Sequence, residues 1–220
     1  MAARVPYAAI VILVNSRRYG GGGIYNDYCA TTVDNEQSPG VFVHEFGHAF
    51  AGLADEYYAS EVSYNDFYPK GVEPLEPNIT ALLDPARLKW KDLVLPGTAI
   101  PTDWGKDKRE ALQADLGKNR REMRQAIEAA KQKGTSGPEL KRIQAGFEKK
   151  AKASEASLEA VRRDYAHLED QVGAFEGAGY AAKGLYRPQI YCLMISSPKN
   201  EFCRVCQRAI REMIDFYGRS

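Results

Sequence analysis

His44-Glu45-Phe46-Gly47-His48 sets two imidazoles and a carboxylate at a spacing that can do metal chemistry. On a helix, residues four apart share a face, so His44 and His48 can grip one metal ion. Glu45 then projects beside that ion, where it can take a proton from a water that the metal activates. The flanks suit a helix over residues 39–51: Ser38 is a good N-cap and Pro39 fits the first helical position. Val41-Phe42-Val43 gives an apolar flank, and Gly52 serves as C-cap.

Three histidines occur in 220 residues, and two of them are in this motif. A bare HExxH also turns up on ordinary amphipathic helices. The residues that follow argue against that reading here. Gly52-Leu53-Ala54-Asp55-Glu56-Tyr57 turns the chain and at once offers two carboxylates, Asp55 and Glu56. A catalytic zinc site needs one such third protein ligand and an open position for water.

His44 to Tyr57, read as HEFGHAFAGLADEY, resembles the active-site segment of the IgA-peptidase family of metzincin-like zinc metallopeptidases. Agreeing pieces are Val14-Asn15-Ser16, Tyr19-Gly20-Gly21, Glu76-Pro77-Asn78, Phe175 to Tyr180 and Tyr186-Arg187-Pro188. The likeness covers roughly residues 5–100 and 170–217, and its specificity lies in the HExxH-to-DEY stretch. It implies a zinc endopeptidase acting on protein or peptide, without carrying over any immunoglobulin preference. In metzincins a ligand follows three residues after the glycine that ends the helix, and Gly52 to Asp55 keeps that step. Asp55 is therefore the expected third ligand. The glycine falls four residues after His48, where the usual pattern has three, which keeps Glu56 as the alternative. Met194 resembles the methionine of the Met-turn, which packs beneath the metal and makes no bond to it.

Composition narrows the rest. A hydrophobic share of 44% supports a buried core, and a net charge of +1 gives no reason to invoke nucleic acid or an anionic membrane surface. No apolar run approaches the roughly 20 residues that span a bilayer. Ala8 to Val14 reads as a buried strand rather than a signal peptide, because no small-residue cleavage site follows it. Gly20 to Gly23 ends that strand. Ile24 to Val33 reads as a second strand, at an edge beside the cleft, where it would pair with extended substrate. Only about 38 residues precede the motif helix, fewer than metzincin domains place there. A chain lacking the N-terminal strands of such a domain is expected, and a secretion signal could have gone with them. The expected location is extracellular or periplasmic.

Residues 105–172 are rich in Lys, Arg, Glu, Gln and Ala, the composition of long exposed helices. Leu112, Leu116, Met123, Ile127 and Ala130 form one apolar stripe. Leu140, Ile143, Phe147, Ala151, Leu158, Val161, Tyr165, Leu168 and Val172 form a second, at near-heptad spacing. Gly134 to Pro138 separates them, and Ser136 with Glu139 makes a capping-box pattern. An antiparallel, coiled-coil-like hairpin follows, either a docking arm for a protein partner or a self-contained insertion. His167 on it reads as a surface residue.

The fold expected is α/β: a metzincin-like catalytic domain with a small twisted mixed sheet and the active-site helix, interrupted by the long hairpin. Its parts would be residues 1–104, 105–172 and 173–220. The terminal segment from Cys206 to Tyr217 reads as a helix packing on the sheet. Cys29, Cys192, Cys203 and Cys206 admit disulfides, a four-cysteine structural zinc or free buried thiols. Glu176 lies in a glycine-rich loop, as a cleft or turn residue. Tyr180 and Tyr186 are two of thirteen tyrosines, and neither stands out as an oxyanion donor. The activity expected is peptide hydrolysis by zinc-activated water, with Glu45 as general base, His44, His48 and Asp55 as ligands and Met194 as floor. The competing reading is a non-catalytic, zinc-stabilised binding module whose hairpin engages a partner.

Overall fold

A computed structural model describes residues 7–58, 67–195 and 200–219. The chain divides into two units, one formed up to Asp103 and again from Leu168, the other by Trp104–His167.

The first unit opens with strands β1 (Val11–Val14), β2 (Gly21–Gly23) and β3 (Cys29–Thr32), followed by helix α1 (Ser38–Ala51). The sheet order is β1-β3-β2, with β1 parallel and β2 antiparallel to β3. The sheet is therefore mixed. In β3 the alternation of a half-covered strand is visible: Cys29 and Thr31 are buried, Ala30 and Thr32 less so. Helix α1 packs over β3 and β2. Strand β1 lies on the far edge, and its four apolar residues are 40–65% exposed. The expected strand forms here but is not buried, because α1 covers only the other two.

The glycine run also departs from expectation. It is itself strand β2, and Ile24 to Tyr28 is the turn that follows, closed by Ile24 N–H donating to the Tyr28 carbonyl at 2.9 Å. The edge strand is β2, and β3 is central. The reason is close approach. A Cβ at Gly23 would stand 2.3 Å from the Glu45 carbonyl oxygen, and one at Gly21 would stand 2.6 Å from Val41 Cγ1. Only glycine lets β2 lie this near α1.

Helix α1 starts one residue before the predicted span. Gln37 is its N-cap, and Ser38 is the first helical residue, with its Oγ buried and unpartnered. Gly52 ends the helix in the left-handed conformation, φ 60°, with backbone N–H groups of Gly52 and Leu53 returning to the His48 and Gly47 carbonyls. After the second unit, β4 (Phe175–Ala178) and β5 (Ala181–Arg187) form an antiparallel hairpin. Gly179 and Tyr180 turn it with φ of 54° and 64°, as type I′ hairpin loops require. Helix α4 (Arg204–Gly218) closes the unit. It packs on α1, with the Phe50 and Tyr217 rings stacked at 5.8 Å, rather than on the sheet. The core between them gathers Phe50, Leu53, Trp90, Val172, Met194 and Val205. Trp90, fully buried, satisfies its indole N–H on the Gly173 carbonyl at 2.7 Å.

The second unit holds helices α2 (Lys106–Gln132) and α3 (Gly137–Asp164), each on the order of 40 Å long. They lie antiparallel. Asn119 Nδ2 donates to the Phe147 carbonyl at 2.9 Å, while at the other end Gly105 abuts Tyr165. The stripe residues from Leu112 to Tyr165 are partly or fully shielded, as a two-helix seam requires. Leu168 and Val172 instead belong to the first unit, where Val172 joins the core. Ser136 is the N-cap of α3 but makes no side-chain cap bond, so the capping box does not close. His167 is exposed, in a short 3₁₀ turn after α3.

Candidate metal centre

Helix α1 presents His44 and His48 one turn apart, and their Nε2 atoms approach to 3.1 Å. Each ring is oriented from behind. Nδ1–H of His44 donates to the Leu193 carbonyl at 3.0 Å, and that of His48 to the Leu53 carbonyl at 2.5 Å. Fixing Nδ1–H in this way leaves both Nε2 lone pairs facing a common point.

The left-handed exit at Gly52 puts residues 53–57 into an extended run held on both sides. Asn78, fully buried, clasps Ala54 twice: its Oδ1 accepts from Ala54 N–H at 2.7 Å, and its Nδ2 donates to the Ala54 carbonyl at 2.9 Å. Gly179 N–H donates to the Asp55 carbonyl and Glu56 N–H to the Met194 carbonyl, both at 2.9 Å. Neighbouring side chains of an extended run point opposite ways. Asp55 accordingly faces the histidines, with Oδ1 at 3.1 Å from His44 Nε2 and 3.4 Å from His48 Nε2. Glu56 turns away, toward Cys203 and Cys206.

The donors fit a zinc ion. Zinc bonds of 2.0–2.1 Å in a tetrahedron separate ligand atoms by about 3.3 Å, close to all three distances here. Asp55 Oδ1 is buried and lacks a hydrogen-bond partner, as an oxygen kept for a cation would be. Its other oxygen accepts a short hydrogen bond from Tyr180 Oη. Burial alone would raise the Asp55 pKa, but His44, His48 and Tyr180 outweigh it and hold the carboxyl well below the ordinary range. Burial raises Glu45, against the lowering pull of His44 and His48. Burial works to lower His44, yet Asp55 and the Leu193 carbonyl leave it raised.

Glu45 lies beside the histidines, all three offering donor atoms within 4.8 Å of one another. A cleft of about 760 Å³ opens over them, lined by Gly21 to Gly23 of β2 on one side and by Tyr57, Phe67 and Tyr180 among others. Beneath, Met194 is fully buried, and a Cβ on Gly47 would come within 3.2 Å of its Sδ. Gly47 of the motif is thus the gap through which α1 sits on Met194.

The sequence-level site residues His44, Glu45, His48, Asp55 and Met194 come together in one place. Tyr180 joins them, and its only sequence signal was the Gly-Ala-Gly-Tyr turn. Tyr186 is elsewhere, exchanging backbone hydrogen bonds with Thr80. Glu176 accepts from the Gly184 N–H within the β4–β5 hairpin. All four cysteines are buried and free, so none of the disulfides allowed by sequence is present.

The sequence model of the IgA Peptidase M64 family matches residues 1–214. The chain belongs to that family. Membership makes it a peptidase, with protein or peptide as its substrate, and the clustered donors are ones that could hold a metal ion. No curated protein matches it. Among the described residues, no helix is long and apolar enough to cross a membrane.

Proposed function

We propose that this family member is a zinc-dependent endopeptidase in which His44, His48 and Asp55 hold the metal and Glu45 is the general base. The mutual spacing of the three donor atoms, 3.1–3.4 Å, carries the reading. The fold supporting it is metzincin-like: a helix with two ligands behind a small mixed sheet, a glycine exit to the third ligand, and a buried methionine below.

A zinc ion held there would lower the pKa of a water and polarise the scissile carbonyl. Glu45 takes the proton from the attacking water and delivers it to the leaving amine. Substrate lies extended along β2, the edge strand that lines the cleft, and pairs with its backbone. Tyr180 is a positioning residue: its hydroxyl occupies one Asp55 oxygen and leaves the other facing the histidines.

Cleavage of casein, an unstructured protein, tests this with and without a chelator. Hydrolysis that the chelator abolishes and zinc restores is expected. Glu45→Gln should keep the metal and lose kcat by roughly 10²–10⁴-fold, the usual worth of a general base. Near-normal turnover of that variant rules Glu45 out as the base, and chelator-resistant hydrolysis rules out the metal.

A further inference from the structure

Behind the metal centre lies a second group of donors. Cys192, Cys203, Cys206 and Glu56 are all buried, with ligand atoms within 4.8 Å of one another. Cys192 Sγ stands 3.7 Å from Cys206 Sγ, and Glu56 Oε1 stands 3.7 Å from Cys203 Sγ and 3.1 Å from Cys206 Sγ. Around zinc, with bonds of 2.3 Å to sulfur and 2.0–2.2 Å to oxygen, a tetrahedron separates two sulfurs by about 3.8 Å and sulfur from oxygen by about 3.6 Å.

We propose that Cys192, Cys203, Cys206 and Glu56 form a second, structural site for a zinc ion. Backbone N–H groups already point at two of the sulfurs: Cys203 N–H donates to Cys192 Sγ at 3.2 Å, and Cys206 N–H to Cys203 Sγ at 3.5 Å. Such bonds, at the first turn of α4, favour thiolate over thiol. Glu56 is fully buried, and although Asn78 donates to its Oε1 at 2.9 Å, its Oε2 has no hydrogen-bond partner. A disulfide would join two sulfurs and leave the third cysteine unaccounted for. Metal binding would release the thiol protons to solvent as zinc–sulfur bonds form. Four anionic ligands then carry four negative charges, of which the ion and the buried Arg187, whose charge acts on Glu56, offset three.

The placement gives the site a purpose. Cys192 is two residues before Met194, Cys203 and Cys206 begin α4, and Glu56 follows Asp55. One ion would fasten the turn beneath the cleft, the start of α4 and the extended run that carries Asp55. The Asp-Glu pair, its side chains pointing opposite ways, would serve one metal on each face. Cys29, in β3, is not part of this group.

The test is metal content and cobalt spectroscopy on the full chain and on a His44→Ala/His48→Ala variant that lacks the first site. The wild type should hold two zinc ions per chain. The folded variant should hold one, and its cobalt form should show thiolate-to-metal charge-transfer absorption in the near ultraviolet. If the folded variant takes up no metal at excess zinc, or its cobalt form lacks that absorption, the proposal fails. Fewer than four titratable thiols in chelated, unfolded wild type would also overturn it, as the mark of a disulfide. If the variant does not fold, wild-type protein loaded with cobalt decides, because the absence of thiolate charge transfer there overturns the second site. One metal in both proteins, with that absorption, leaves this site standing and removes the first.

Discussion

At the scale of residues, the pair Asp55-Glu56 shows what spacing alone does and does not determine. The step from Gly52 places a carboxylate near the histidines, but the choice between the two depends on Asn78, which clasps Ala54 from 24 positions beyond it. That clasp fixes the extended run and so turns Asp55 toward His44 and Glu56 away. Asp55→Ala should therefore weaken metal binding at the histidine pair strongly, while Glu56→Gln should leave that pair's metal in place. Tyr180→Phe frees the second Asp55 oxygen and should weaken the same metal by roughly 10–100-fold, the usual effect of losing a partner behind a ligand. Zinc dissociation constants for the three variants check this, and loss of the histidine-bound metal in Glu56→Gln with retention in Asp55→Ala would exchange the roles. Tyr180 was hidden in the sequence because thirteen tyrosines look alike until a turn brings one to a ligand.

At the scale of elements, α1 was legible because each of its signals is local: the four-residue histidine spacing, Pro39 near its start and Gly52 at its end. Helices α2 and α3 were legible for the same reason, through two periodic stripes and the glycine-proline turn between them. The strands were not. Strand β1 is apolar yet exposed, and the Gly21–Gly23 run reads as a break but forms the edge of the cleft. Both outcomes follow from how α1 seats on the sheet, a tertiary fact. Gly23→Ala should push β2 off α1, since its Cβ would meet the Glu45 carbonyl oxygen at 2.3 Å, and should lower kcat/KM on casein well below wild type. Gly22→Ala, with nothing within 4 Å, should be close to wild type in the same assay. Equal activity in the two variants would contradict the role given to β2. Asn78→Ala leaves buried partners on Ala54 and Glu56 unpaired, at about 1–3 kcal/mol each, so urea unfolding should show a loss of several kcal/mol.

At the scale of the molecule, metal and fold are linked, because Asp55 meets His44 and His48 with the Asn78 clasp on Ala54 in place, and Glu56 meets Cys192, Cys203 and Cys206 only when segments far apart in sequence come together. An ion that binds only the folded chain stabilises it by about 2.7 kcal/mol at a free concentration one hundred times its Kd. Tm should therefore rise with added zinc and fall with chelator, and the shift should shrink in His44→Ala/His48→Ala. An unchanged Tm across zinc and chelator in the wild type would contradict that linkage. The most direct measurement of the metal site is a crystal structure of zinc-loaded protein with anomalous diffraction at the zinc edge. A zinc peak is expected within bonding distance of His44 Nε2, His48 Nε2 and Asp55 Oδ1, with Glu45 beside it and not bound. A structure at saturating zinc with no peak there, or with Asp55 turned away from the ion, would contradict it.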